Sequence, residues 1–152
     1  MAIAYLSLGT NIGNKRRNMI TAAALLAERV GDVLALSGFY ETEPWGFASE
    51  NLFLNAAVKL KTSFSPSELL LATQQIEKEL GRTEKSNGAY HDRIIDIDIL
   101  LYDDEIRQTA ELTLPHPLMH ERKFVMDPLS EIAPFVVHPI LKERIIDLKE
   151  RL

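Results

Sequence analysis

Arg93-Ile94-Ile95-Asp96-Ile97-Asp98-Ile99-Leu100-Leu101-Tyr102 sets two carboxylates inside an otherwise apolar run. On an extended strand, residues i and i+2 share a face. Asp96 and Asp98 therefore point one way while Ile95, Ile97 and Ile99 point the other. Two neighbouring anions beside a core are costly unless cations neutralise them. One or two divalent metals would do so. Oxygen-only ligands favour Mg²⁺, commonly held together with substrate phosphates. The alternative is a strand end whose aspartates reach water or pair with Arg82 or Arg93.

Outward from this strand the chain alternates strands and helices. Residues 2–8 read as a short apolar strand, and residues 9–14 as a turn that enters a helix over about 15–30. Met19, Ile20, Ala23, Ala24, Ala27 and Val30 recur there at helical spacing, and Gly31-Asp32 ends the helix. Residues 33–41 and 53–62 read as strands on either side of an irregular loop, Glu41 to Phe47. The next helix is marked by Ser65 as N-cap, Pro66 at the first position and Glu68 completing a capping box. Leu69, Thr73, Ile76 and Leu80 form its apolar stripe, and Gly81 its C-terminal cap. The acidic strand follows at 94–102, then an extended excursion at 105–115, a helical turn around 127–132 and a terminal helix near 140–151. The leading β-α-β-β-α-β order predicts an α+β, ferredoxin-like sandwich, an antiparallel sheet with helices packed on it. Residues 83–92, polar and containing Asn87-Gly88, read as a mobile loop before the aspartates, where a lid could sit.

The 152 residues are expected to form one domain, 1–152. A hydrophobic content of 46% and a charged content of 26% are those of a soluble globular protein. A net charge of −5 argues against a nucleic-acid or membrane-surface binder, which would be basic. Without cysteine there is no disulfide framework, thiol nucleophile or Cys-based zinc site, and a reducing cytoplasm is the expected compartment. The amino terminus reads as a strand, not a signal peptide, and no apolar run approaches the ~20 residues that span a bilayer.

Several groups near the acid pair could carry chemistry. Arg82, Arg93 and Arg122 offer guanidinium forks suited to phosphate oxygens, or are solvated surface side chains. His116, held between Pro115 and Pro117, contacts a phosphate or fixes a turn. Phe53, Asn55 and Phe124, with the loop from Thr42 to Gly46, suggest a pocket for a flat heterocycle; the alternative is that the rings are core. Gly9-x-Asn11-x-Gly13 lacks both P-loop and dinucleotide spacing and reads as a tight turn. Glu77 lies beside the apolar stripe of the second helix, at its border or turned into a polar site.

Together these segments resemble the 6-hydroxymethyl-7,8-dihydropterin pyrophosphokinases of folate biosynthesis. The resemblance rests on Tyr5 to Gly13, Tyr40-Glu41-Thr42-Glu43-Pro44-Trp45-Gly46, Phe53-Leu54-Asn55, Ile76-Glu77-x-x-Leu80-Gly81-Arg82 and Arg93 to Tyr102. Leu114-Pro115-His116-Pro117, Arg122-x-Phe124-Val125 and the segment Pro128 to Pro134 complete it. It implies transfer of the β,γ-pyrophosphoryl group of ATP to the hydroxymethyl oxygen of the pterin, with release of AMP. Asp96 and Asp98 match ligands of two Mg²⁺ ions, and Arg82 and Arg93 match loop arginines that hold the phosphoryl groups. Gln74, Glu77, Ile99, Leu112, Thr113, His116 and Arg122 match the ATP site. Phe53 and Phe124 match an aromatic sandwich around the pterin, read by Asn55 with Thr42, Pro44, Trp45 and Gly46 beside it. The chain departs from many members at Glu84, Tyr90 and Pro117. The implied partners are ATP and the pterin, with no nucleic acid and no membrane, acting on a cytoplasmic monomer. A nucleotidyl transferase, releasing pyrophosphate instead of AMP, and a ligand-sensing module that turns nothing over are the competing readings.

Overall fold

A computed structural model describes residues 1–43, 52–81 and 94–152. In chain order the elements are β1 (Ala2–Thr10), α1 (Lys15–Arg29), β2 (Asp32–Leu36), β3 (Tyr40–Thr42), β4 (Phe53–Thr62), α2 (Pro66–Glu79) and β5 (Asp96–Tyr102). There follow β6 (Arg107–Gln108), β7 (Thr113–Leu114), a 3-10 turn (Met119–Glu121), α3 (Lys123–Ile132) and α4 (Ile145–Glu150). The main sheet runs β2-β4-β1-β5 and every pairing in it is antiparallel. That is the ferredoxin-like order expected from the sequence.

Alternation divides the sheet into two faces. Ala4, Leu6 and Leu8 of β1, Val58 and Leu60 of β4, and Ile97 and Ile99 of β5 pack under α1 and α2 in one core. Helix α2 begins as its sequence requires: Ser65 accepts from Glu68 N, Glu68 accepts from Ser65 N, and Pro66 opens the first turn. Helix α1 is rotated from the expected stripe. Met19, Ala22 and Leu26 are its buried residues, while Ile20 is 50% exposed and Ala24 and Ala27 face solvent. Alanines carry little apolar area, so Met19 and Leu26 decide which face turns inward. Arg29 of α1 and Glu79 of α2 pair across the top of the layer.

The opposite face is covered only in part. Tyr5, Ala57, Leu100 and Leu101 form a second core with Val125, Met126 and Leu129 of α3 and Ile145 and Leu148 of α4. Ala57 is therefore buried, where simple alternation along β4 would leave its face half open. Helix α3 is longer than the turn around 127–132 that Pro128 suggests; it starts at Lys123 with Pro128 inside it. Conversely, α4 is shorter than expected. Residues 136–144 fold back instead, with Val137 and Arg144 bridged and His138 N bonded to Glu143 O.

The strand expected at 33–41 is two strands. β2 and β3 run along the same edge of β4, interrupted at Ser37-Gly38-Phe39. The gap is bridged by one backbone and one side-chain bond: Ser37 N donates to Ala57 O, and Ala57 N donates back to Ser37 Oγ at 2.8 Å. Gly38 N donates to the Glu131 carboxylate on α3, and Tyr40 Oη donates to the same group at 2.5 Å. That bond to Glu131, with burial adding to it, pushes the Tyr40 phenol up to about 12. Ser37 is 4% exposed, so Ser37→Ala strands the Ala57 N–H in the core. Urea unfolding of Ser37→Ala should show a loss of about 1–3 kcal/mol.

Candidate active site

What α3 and α4 leave uncovered on the second face is a cleft of about 470 Å³. It is lined by Ser7, Gly9, Thr42, Glu43, Phe53, Asn55, Asp96, Asp98, Arg122 and Phe124. The strand register explains the grouping. Gly9 pairs with Asn55 on one side and Asp96 on the other; Ser7 pairs with Ala57 and Asp98. Three neighbouring strands thus contribute same-face residues to one row. Side chains on β1 shrink along that face, from Tyr5 through Ser7 to Gly9, which opens the floor. A Cβ at Gly9 would lie 3.3 Å from Asn55 Oδ1 and 3.8 Å from the Phe53 ring, so glycine there keeps the cleft clear.

One wall is polar and anionic. Asp96 and Asp98 share the cleft face of β5, as the i, i+2 spacing requires, while Ile97 and Ile99 turn into the core beneath α2. The other wall is aromatic. Phe53 opens β4, and Phe124 stands in the first turn of α3 with the Arg122 guanidinium 5.8 Å from its ring centroid. Asn55 gives an amide hydrogen to Thr42 Oγ1 at 2.7 Å, which orients the amide and tethers β3 at the cleft. Lys15 Nζ donates to Leu52 O at 3.1 Å and lies near Glu41, fastening the start of α1 to both ends of the loop between β3 and β4.

Arg122 is 5% exposed, a buried cation in a cleft with three lining carboxylates, Glu43, Asp96 and Asp98. His116 lies close enough to sense two of these charges. Its N–H donates to Leu100 O on the outer side of β5, and its Nδ1 accepts from Leu118 N. Burial first, then the Arg122 guanidinium, depress its pKa to about 4 against a smaller opposite pull from Asp96. The imidazole is therefore neutral at physiological pH, with the proton assigned to Nε2 by the Nδ1 bond.

Seven residues singled out from the sequence meet in the cleft: Thr42, Phe53, Asn55, Asp96, Asp98, Arg122 and Phe124. Gln74, Glu77, Ile99, Leu112, Thr113 and His116 do not line it. Ile99 is a core side chain, and Glu77 sits 5% exposed with its carboxylate on the Ile97 N–H. Pro44, Trp45, Gly46, Arg82 and Arg93, with the lid expected at 83–92, lie outside the described residues. Glu43, in the loop expected to shape the pocket, also lines it, whereas sequence reasoning passed over Ser7 and Gly9; the shrinking side chains on alternate positions of β1 were the available signal for both. Among the described residues no group of three or more His, Cys, Asp or Glu could hold a metal, and no helix is long and apolar enough to cross a membrane.

A ferredoxin-like sheet whose open face joins paired acids to paired aromatic rings defines a small α+β ligand-binding enzyme scaffold. The family description 7,8-dihydro-6-hydroxymethylpterin-pyrophosphokinase (HPPK) matches residues 5–134. A 2-amino-4-hydroxy-6-hydroxymethyldihydropteridine pyrophosphokinase of Porphyromonas gingivalis is 55% identical over 91% of this chain and 95% of its own. One of Aquifex aeolicus is 42% identical over 98% and 91%. The chain belongs to the HPPK family and is a pyrophosphokinase of folate biosynthesis. The HPPK-DHPS of Plasmodium falciparum, solved with pteroate, superposes with a TM-score of 0.79 at 18% identity, which is a likeness of fold. It covers 99% of this chain, and this chain spans 42% of that one.

The imidazoles give a pH dependence with a definite sign. An unfolded His116 takes up its proton near 6.5 and the folded one near 4, so its contribution is complete above about 6.5 and is lost as pH falls through that window. His138 is displaced in the same direction by burial and by His120. Thermal unfolding of the ligand-free protein should show a melting midpoint that drops from pH 6.5 towards 4, with a shallower slope in His116→Asn. Equal slopes in the two proteins would mean that folding does not shift this imidazole.

Proposed function

We propose that the cleft transfers the β,γ-pyrophosphoryl group of ATP to the hydroxymethyl oxygen of 6-hydroxymethyl-7,8-dihydropterin, using Mg²⁺ and releasing AMP. One observation carries this assignment: a pair of carboxylates and a pair of aromatic rings line a single cleft. The new bond joins the hydroxymethyl oxygen to the β-phosphorus. The bond from that phosphorus to the oxygen bridging it to the α-phosphate breaks. AMP keeps that oxygen, and the hydroxyl proton is lost.

Charge decides what the acid wall needs. The described lining carries three carboxylates and one guanidinium, and His116 is neutral. A triphosphate brought to such a wall meets net repulsion unless cations accompany it. The donor set fits Mg²⁺, which is usually held by one or two carboxylates plus substrate phosphates and water rather than by an all-protein cage. Bound Mg²⁺ supplies neutralisation of the phosphate oxygens and of charge developing on the leaving group. Asp96 and Asp98 hold the cations. Arg122, its guanidinium over the ring of Phe124, presents that group to phosphate oxygens. Arg82 and Arg93 take the loop roles that the family resemblance assigns them.

On the other wall, the Phe53 and Phe124 rings stack on the pterin. The Asn55 amide, oriented by Thr42, reads its polar edge, and backbone from residues 44–46 completes the contact. Both substrates then meet at the row formed by Gly9, Asn55 and Asp96. Gln74, Leu112 and Thr113 contact the nucleoside from the outer side of β5. Catalysis is positioning and electrostatics, with no separate general base. The cytoplasm, where ATP is abundant, is the compartment in which this reaction would run.

A product assay with ATP, Mg²⁺ and the pterin tests the assignment. AMP should appear in step with the pterin pyrophosphate, and Asp96→Ala or Asp98→Ala should lower turnover by about 10²–10³, the scale of losing one preorganised electrostatic contact. Release of pyrophosphate would point to nucleotidyl transfer, and undiminished AMP formation in Asp96→Ala would remove the metal assignment. Phe124→Ala should weaken pterin binding in calorimetry, by about 0.5–1.5 kcal/mol for the lost ring pairing on top of the apolar area no longer buried; unchanged affinity would remove the stacking role.

A further inference from the structure

Among the described residues, β5 is the outer strand of the main sheet and pairs only with β1. Its other side presents backbone groups that no described strand answers. Two of them are answered from elsewhere. Leu100 O accepts from His116 N at 2.9 Å, and Ile97 N donates to Glu77 Oε2 at 2.8 Å. The second bond falls at a telling position, because Ile97 is the residue between Asp96 and Asp98. Its acceptor is a carboxylate on the inner side of α2, 5% exposed, among Thr73 and Ile76 of the same helix. Burying a carboxylate is costly, and a charge-assisted bond to a backbone N–H is among the few contacts strong enough to hold it there.

The ladder between β1 and β5 ends at the pair Gly9 and Asp96. The acid pair therefore lies at the last rungs of an outer strand, where pairing is weakest and fraying begins. The directions of the two aspartate side chains depend on the pleat at Ile97. Fixing the peptide plane that carries the Ile97 N–H fixes the first half of that pleat. The Ile97 side chain, 6% exposed in the core, fixes the rest.

We propose that Glu77 is a positioning residue for the acid pair: by holding the Ile97 N–H from α2, it sets the angle at which Asp96 and Asp98 converge on a common cation. The proposal rests on the Mg²⁺ assignment above. Glu77 acts from the far side of the strand, through the backbone, and does so as a hydrogen-bond acceptor.

Mg²⁺ titrated calorimetrically in the presence of α,β-methylene-ATP tests this without turnover, with Asp96→Ala as control. Glu77→Ala should weaken Mg²⁺ binding about 10–100-fold, the usual cost of losing an outer contact that orients metal ligands. Glu77→Gln keeps an oxygen acceptor of the same reach and should restore most of that loss. Glu77→Asp keeps the charge but falls one methylene short, and should resemble Glu77→Ala. Amide exchange at Ile97 should quicken in the Ala and Asp variants and not in Gln. Should Glu77→Ala fail to fold by circular dichroism, the Gln and Asp variants decide by themselves. Gln binding as weakly as Asp, or Asp binding as tightly as the parent, overturns the proposal. If Asp96→Ala binds Mg²⁺ like the parent, the metal assignment has failed and this one with it. If Asp96→Ala loses binding and Glu77→Ala does not, only the role of Glu77 is wrong.

Discussion

Two like charges held side by side on one strand are the constraint around which this molecule is arranged. Asp96 and Asp98 cannot turn into the sheet's interior, because the intervening isoleucines occupy the face beneath α2. Nor can they be covered by a helix, since a low-dielectric lid would raise their mutual repulsion without offering a counter-charge. The second face of the sheet is accordingly packed only where β1, β4 and β5 carry Tyr5, Ala57, Leu100 and Leu101. Helices α3 and α4 stop there. The open remainder is the cleft, and its position follows from where apolar residues give way to small and acidic ones along three neighbouring strands.

An opening of this kind weakens the structure around it, and local side-chain bonds offset that. The edge of the sheet nearest the aromatic wall is broken between β2 and β3. There the Ser37 hydroxyl stands in for a backbone partner, and Glu131 of α3 takes up the Gly38 N–H and the Tyr40 hydroxyl. The opposite edge, at β5, is tied by Glu77 and by the His116 N–H. Among the described residues, both edges beside the cleft are thus held by side-chain and backbone polar groups from outside the sheet rather than by further strands. Such bonds fix backbone geometry while leaving the face above them accessible.

Much of this was legible in the chain because the relevant signals are local. The Ser65-Pro66-x-Glu68 box sets the start of α2 without help from the rest of the molecule, and the i, i+2 rule puts both aspartates on one face of β5. The misread elements are those governed by distant contacts. The inward face of α1 depends on Met19 and Leu26 meeting the sheet, which the intervening alanines obscure. The split between β2 and β3 depends on a glutamate more than ninety residues away, as its bond to Gly38 records. Helix α3 runs through Pro128 because tertiary packing of Val125, Met126 and Leu129 outweighs one lost backbone bond. The shrinking side chains of β1 were a signal for Ser7 and Gly9 as an open floor, but which residues stand beside them follows from the register of β1 against both neighbours.

Arg122 joins the two halves of the site. A guanidinium 5% exposed needs counter-charge or a polarisable face, and it lies beside the acid wall and over the Phe124 ring. It is thereby anchored to the aromatic wall while its charge remains available to the anionic one. His116 stays neutral beside it, because burial first and the Arg122 charge second depress its pKa. With the imidazole uncharged, acids outnumber bases along the described lining. A described lining in that state favours cations over bare polyanions. Under the proposed function a nucleotide tail would enter it in company with metal, and the charge balance of the walls would select the metal-bound form before any contact to the base or sugar.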